Sequence, residues 1–125
     1  MSREVSFYLQ DILNCIAKIE RFTAEMDYAS FESNEVVIDA VIRNLEIIGE
    51  AAKQLPPRIR QANSEIEWRQ LARFRDFLAH GYFRIELEII WNTVQAKLPT
   101  LRVQISALLA AIQSDGLNLS EEIND

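Results

Sequence analysis

Four residues able to do chemistry on a phosphate stand within eight positions: Arg75, Asp76, His80 and Tyr82, and His80 is the only histidine of the 125 residues. An imidazole moves protons near neutral pH. A guanidinium offers a planar, permanently charged fork that matches phosphate oxygens. Asp76, four positions before His80, has the spacing at which helical side chains meet, so its carboxylate could fix the imidazole tautomer and raise its basicity. Together these groups suit proton transfer beside a phosphate whose charge is being stabilised. The same residues also allow a plainer account, in which His80 is a helix-end histidine favoured by the helix dipole and Asp76 its ordinary surface partner.

Geometry sets a condition on the chemical reading. On a straight helix five positions turn through about 500°, so Arg75 and His80 would point roughly 140° apart. Gly81 offers a left-handed terminus directly after His80, and a helix that ends there lets the two converge.

The elements that must position these residues read as helices throughout. Val5, Leu9, Ile12, Ile16 and Ile19 recur at steps of three and four, predicting a first helix from about Arg3 to Met26. Tyr8, Cys15 and Phe22 widen that stripe beyond what one neighbour covers, which places the helix centrally in a bundle or against a second subunit. Asp27 to Ser33 reads as a connection. A second helix runs from Ser33 or Asn34 to Leu55, with Val37, Val41, Leu45, Ile48, Ala52 and Leu55 inward, and Pro56-Pro57 ends it. Arg43, Asn44, Glu46 and Glu50 form a polar edge on it, read as solvated.

After a short segment from Pro57 to Asn63, Ser64-Glu65-Ile66-Glu67 has capping-box spacing, so a third helix starts at Glu65. It carries Trp68, Leu71 and Leu78 and ends with the Arg75–His80 stretch. A fourth helix from about Ile85 holds Leu87, Ile90, Trp91, Val94 and Leu98. Pro99 kinks or restarts it before Leu101, Ile105, Leu108, Leu109 and Ile112. The expected fold is all-α, an up-and-down bundle of four to five helices that dimerises through helix faces. Residues 1–113 form the domain and 114–125 an acidic tail expected to be frayed or loosely docked.

Composition narrows the function classes. One cysteine, Cys15, cannot form an internal disulfide, and one histidine leaves no zinc cluster within the chain. No leader-like segment opens the chain and no apolar run approaches the roughly 18 residues of a membrane span. A reducing cytoplasm is the expected setting. The net charge of −6 argues against indiscriminate nucleic-acid binding. From Lys53 to Arg84, however, seven basic residues face three acidic ones, a local +4 that includes Arg69, Arg73 and Arg84. Screening beyond about 8 Å lets such a segment attract phosphate despite an acidic whole.

Arg75-Asp76-Phe77-Leu78-Ala79-His80-Gly81-Tyr82 resembles the R-x4-H-x-Y signature of the HEPN superfamily, specifically its HepT-like branch, in which the residue after the arginine is typically polar. Arg43 to Ala52 is similar to that branch's second-helix motif, and Ile90 to Val94 with Leu98-Pro99 resembles its later helix. The likeness runs in order over about residues 5–112.

The resemblance implies a homodimer with two copies of the motif in a shared cleft. It implies the toxin of a type VII toxin–antitoxin module, a metal-independent endoribonuclease that cuts cellular mRNA or tRNA and needs no cofactor. Its partner would be a minimal nucleotidyltransferase antitoxin that attaches AMP to the motif tyrosine. Carried over residue by residue, Arg75 and His80 are catalytic, Asp76 orients, and Tyr82 accepts AMP. Arg69, Arg73 and Arg84 are then candidates for RNA contact. A 2′-hydroxyl or a water would attack the phosphate while His80 moves protons, and a two-fold dimer would supply that histidine twice. The competing class is a non-catalytic subunit that holds nucleotide or substrate for a nucleotidyltransferase.

Overall fold

Val5, Leu9, Ile12, Ile16 and Ile19 are all buried on one face of α1, Ser2–Thr23. The computed structural model describes residues 2–78 and 83–124, with side chains at 5–73 and 87–114. The helix stops at Thr23, three residues short of Met26, where the Thr23 hydroxyl donates to the Ile19 carbonyl at 2.8 Å. Its stripe is wide because two helices cover it, α3 (Glu35–Gln54) and α7 (Leu98–Asn124). That places α1 centrally in the bundle.

Burial also acts on Cys15, which is 5% exposed. Desolvation pushes its thiol up, Asp11 adds to this, and the Lys18 ammonium opposes it. The thiolate is the reactive form. Cys15 should therefore resist maleimide labelling in the native protein and label fully in urea, as read by mass; rapid native labelling would contradict this burial.

The segment expected as a plain connection contains a short helix, α2, Tyr28–Glu32. Asp27 starts it: its carboxylate accepts from the Ser30 N–H at 2.9 Å, and the Ser30 hydroxyl accepts from the Asp27 N–H at 3.0 Å. Phe31 then drops into the core, fully buried, its ring 5.0 Å from that of Trp91, while Tyr28 meets the same indole edge-on at 6.4 Å.

Asn34 caps α3, accepting from the Val37 N–H at 3.1 Å. Val41, Leu45, Ile48 and Ala52 are buried as their spacing predicts, and Val37 is half-buried. The helix ends at Gln54. Leu55 is extended and buried ahead of the two prolines. Because α3 lies between α1 and α5 (Trp68–Leu78), it buries Ile38, Ile42 and Ala51 as well.

Pro57 opens the one-and-a-half-turn helix α4, Pro57–Ala62. The expected capping box at Ser64 does not form. Asn63 takes over the junction: its Nδ2 donates to the Ile59 carbonyl at 2.8 Å, and its own carbonyl accepts from the Trp68 indole at 3.0 Å. Ile66 is drawn into the core at 2% exposure, so Glu65 to Glu67 turn rather than coil, and α5 begins at Trp68.

The last long element runs from α6 (Phe83–Asn92) through a π-helical turn (Thr93–Lys97) into α7. Pro99 does not restart it: the chain stays helical through the proline. The Leu98 N–H reaches the Thr93 carbonyl one residue further back than in an α-helix, and the widened turn accommodates the proline. Ile90, Val94, Leu98, Leu101, Ile105, Leu108 and Leu109 are buried along it. The backbone is helical to Asn124, while the packing expected of the tail falls on side chains outside the described residues. The fold is all-α, with no strand among the described residues.

Candidate functional site

The site helix α5 carries Arg69, Arg73, Arg75 and Asp76 on one rigid backbone. Contacts among the described residues hold the start of that helix. Trp68 and Leu71 are buried, each 8% exposed, and the helix packs on α3. The Trp68 indole is tied to Asn63. The Gln70 amide oxygen accepts from the Lys97 ammonium at 2.9 Å. Just before the helix, the Glu65 carbonyl accepts from Gln104 at 3.2 Å. The π turn and α7 thus brace the start of α5 from one side and α3 from the other.

Helical register distributes the site positions. Position 75 follows Trp68 by seven residues, so its Cα returns to within about 20° of the strip that holds Trp68 and Leu71. Arg69 and Arg73, four apart and both exposed, share a different face. Arg75 and Asp76 are placed by backbone alone. Arg84 is likewise placed by backbone alone, on the first turn of α6. His80, Tyr82 and the expected terminus at Gly81 lie outside the described residues, as does the convergence of Arg75 with His80.

On α3, the polar edge is not uniformly solvated. Arg43 is exposed, Glu46 and Glu50 are half-buried, and Asn44 is only 7% exposed. Asn44 shares the strip of Val41 and Ile48, and its Nδ2 donates to the Ala40 carbonyl at 2.8 Å. A buried amide is tolerated because that bond satisfies it. Spacing alone had placed Asn44 with its charged neighbours; its position between Val41 and Ile48 was the signal of burial.

Among the described residues no group of three or more His, Cys, Asp or Glu side chains is placed to hold a metal ion. Among them, too, no helix is long and apolar enough to cross a membrane.

The model of the family described as Ribonuclease HepT-like matches residues 12–108, which include all of α5 and the Arg75–Tyr82 stretch. The chain belongs to the HepT-like ribonuclease family. Among its relatives, "Probable ribonuclease HepT" of Thermococcus cleftensis is 41% identical over 108 residues, covering 86% of this chain and 98% of that one. "Putative RNase MJ0125" of Methanocaldococcus jannaschii is 35% identical over 111 residues, 89% of this chain and 96% of its own. A similarly named protein of Caldanaerobacter subterraneus is 39% identical over 103 residues, 82% of this chain and 91% of its own. No solved structure matches the chain.

For a HepT-like protein, the arrangement puts an arginine and a carboxylate in the last turn of a braced helix, immediately before the stretch that holds its only imidazole.

Proposed function

We propose that this HepT-like chain is a metal-independent endoribonuclease and the toxin of a type VII toxin–antitoxin module acting in the cytoplasm. One observation carries the reading: the family match encloses an intact R-x4-H-x-Y motif, Arg75 to Tyr82, whose first residues stand in the last turn of α5. The exposed arginines Arg69 and Arg73 on the same helix support contact with an RNA backbone, with Arg84 joining them from α6.

In this reading a 2′-hydroxyl or a water attacks the phosphorus and the bond to the 5′-oxygen breaks. His80 removes the attacking proton, and an imidazolium returns one to the leaving oxygen. Two chains in a two-fold dimer supply a base and an acid from the same residue. Arg75 stabilises the charge that builds on the phosphoryl oxygens. Asp76 holds the imidazole in the tautomer that the first step needs.

Tyr82 is the control point. AMP on its hydroxyl adds a phosphate charge and a nucleoside two residues from His80, and both oppose RNA entry. Incubation with ATP and the cognate minimal nucleotidyltransferase should raise the mass by whole AMP units, a gain lost in Tyr82→Phe. An unchanged wild-type mass would contradict this regulation. Expression without the partner should arrest growth, and His80→Ala should relieve the arrest. Equal growth with and without His80 would favour a non-catalytic binding subunit instead.

A further inference from the structure

A second positively charged feature lies away from the motif, at the other end of α5. Pro57, Arg60, Ser64, Ile66, Trp68 and Arg69 line a groove of about 560 Å³ between α4 and the start of α5. Ile66 and Trp68 are buried beneath it and give it an apolar floor. The Arg60 Nε is buried, with no hydrogen-bond partner among the described residues. A donor removed from solvent and left without an acceptor is costly, and the same arginine lines the groove, where its guanidinium is the group an anion would pair with.

The groove is also braced. Asn63 bonds to Ile59 on α4 and to Trp68 on α5, and its N–H donates to the Arg60 carbonyl at 3.2 Å. Arg60 and Arg69 therefore sit on backbones held in fixed relation. Glu67, which also lines it, offsets only one of the two charges.

We propose that this groove is an accessory subsite for single-stranded RNA, in which Arg60 and Arg69 clamp a backbone phosphate and an unstacked base lies on the apolar floor. The proposal rests on the ribonuclease reading and extends it to how substrate is held. Charge complementarity selects the occupant: a phosphodiester answers both guanidiniums, and a base supplies the flat apolar face. A duplex keeps its bases stacked and cannot fill such a floor. Along α5, Arg69 precedes Arg75 by six residues, about 9 Å of helix rise, with exposed Arg73 on the face of Arg69 in between. Arg69 and Arg73 thus extend a positive face of α5 from the groove in the direction of the motif.

The test is fluorescence polarisation with a short labelled 2′-O-methyl oligoribonucleotide, which cannot be cut through its 2′-oxygen. Arg60→Gln with Arg69→Gln should weaken binding about tenfold or more. The dependence of log affinity on log salt should flatten by about 0.7, the value for one lost single-strand phosphate contact. Ser64→Glu, which adds a negative charge without removing a buried group, should weaken binding too and decides the matter should the arginine variants unfold. Arg102→Gln, which changes the net charge by as much as Ser64→Glu but at the remote pair with Glu20, should bind as wild type. Wild-type affinity and salt slope in the folded double variant, or in Ser64→Glu, would overturn the subsite.

Cleavage separates this result from the parent reading. Wild type that cuts RNA, with the groove variants sharing its KM, removes the subsite and keeps the nuclease. Wild type that binds through the groove but cuts nothing removes the nuclease and keeps the subsite.

Discussion

Phe31→Ala should destabilise the protein by about 3–5 kcal/mol, the usual cost of truncating a fully buried phenylalanine. Phe31 is 0% exposed and packs against Trp91 at 5.0 Å. It is also the only buried residue of α2, a helix of five residues. A helix that short has no stability of its own, so removing the ring should release α2 along with it. Urea unfolding should show the lower midpoint, and Trp91 fluorescence should shift toward that of a wetter indole. An unchanged midpoint would mean that α2 is held by its caps.

The caps themselves carry a pH signature. The hydrogen bond from the Ser30 N–H, with the Ser30 hydroxyl beside it, holds the Asp27 carboxyl below its ordinary value. A depressed carboxyl contributes stability above the unfolded carboxylate range, and that contribution is lost as pH falls through the folded value.

Arg75→Ala should lower kcat/KM for RNA cleavage by about 10²–10³, the range for removing one group that stabilises developing charge. The effect should fall mainly on kcat, because the interaction strengthens as the phosphoryl oxygens gain charge. Arg75→Lys should recover part of the loss: it keeps the charge but not the two-pronged donor. Steady-state cleavage of a labelled RNA checks both variants, with thermal unfolding to show that α5 persists. Activity within a few-fold of wild type in Arg75→Ala would remove the arginine from the mechanism.

The core of this fold is legible in its sequence where a helix is long. Leu9, Ile12, Ile16 and Ile19, and Ile90, Val94 and Leu98, repeat over enough turns that only one face can be the buried one. α2 escaped because five residues show no period, and its cap pairs an aspartate with a serine rather than with a glutamate. At the start of α5, Ser64 and Glu67 had the right spacing for a cap, but burying Ile66 and satisfying the Trp68 indole outweighed it. The π turn at Thr93–Lys97 depends on how Pro99 is accommodated, and residue spacing does not reveal that.

The candidate site divides in the same way. Arg75, Asp76, His80 and Tyr82 are recognisable from residue type and spacing because they are close in sequence. The groove at Arg60 and Arg69 joins residues from two helices across the Asn63 junction, so only the folded chain brings it together.

The most direct test of the nuclease reading is cleavage of total cellular RNA in EDTA by wild type and His80→Ala side by side. Wild type should cut without a divalent metal, and His80→Ala, folded to the same helical content, should lose about 10²–10⁴-fold in rate. Full activity in His80→Ala, or cutting by wild type that EDTA abolishes, would contradict the account.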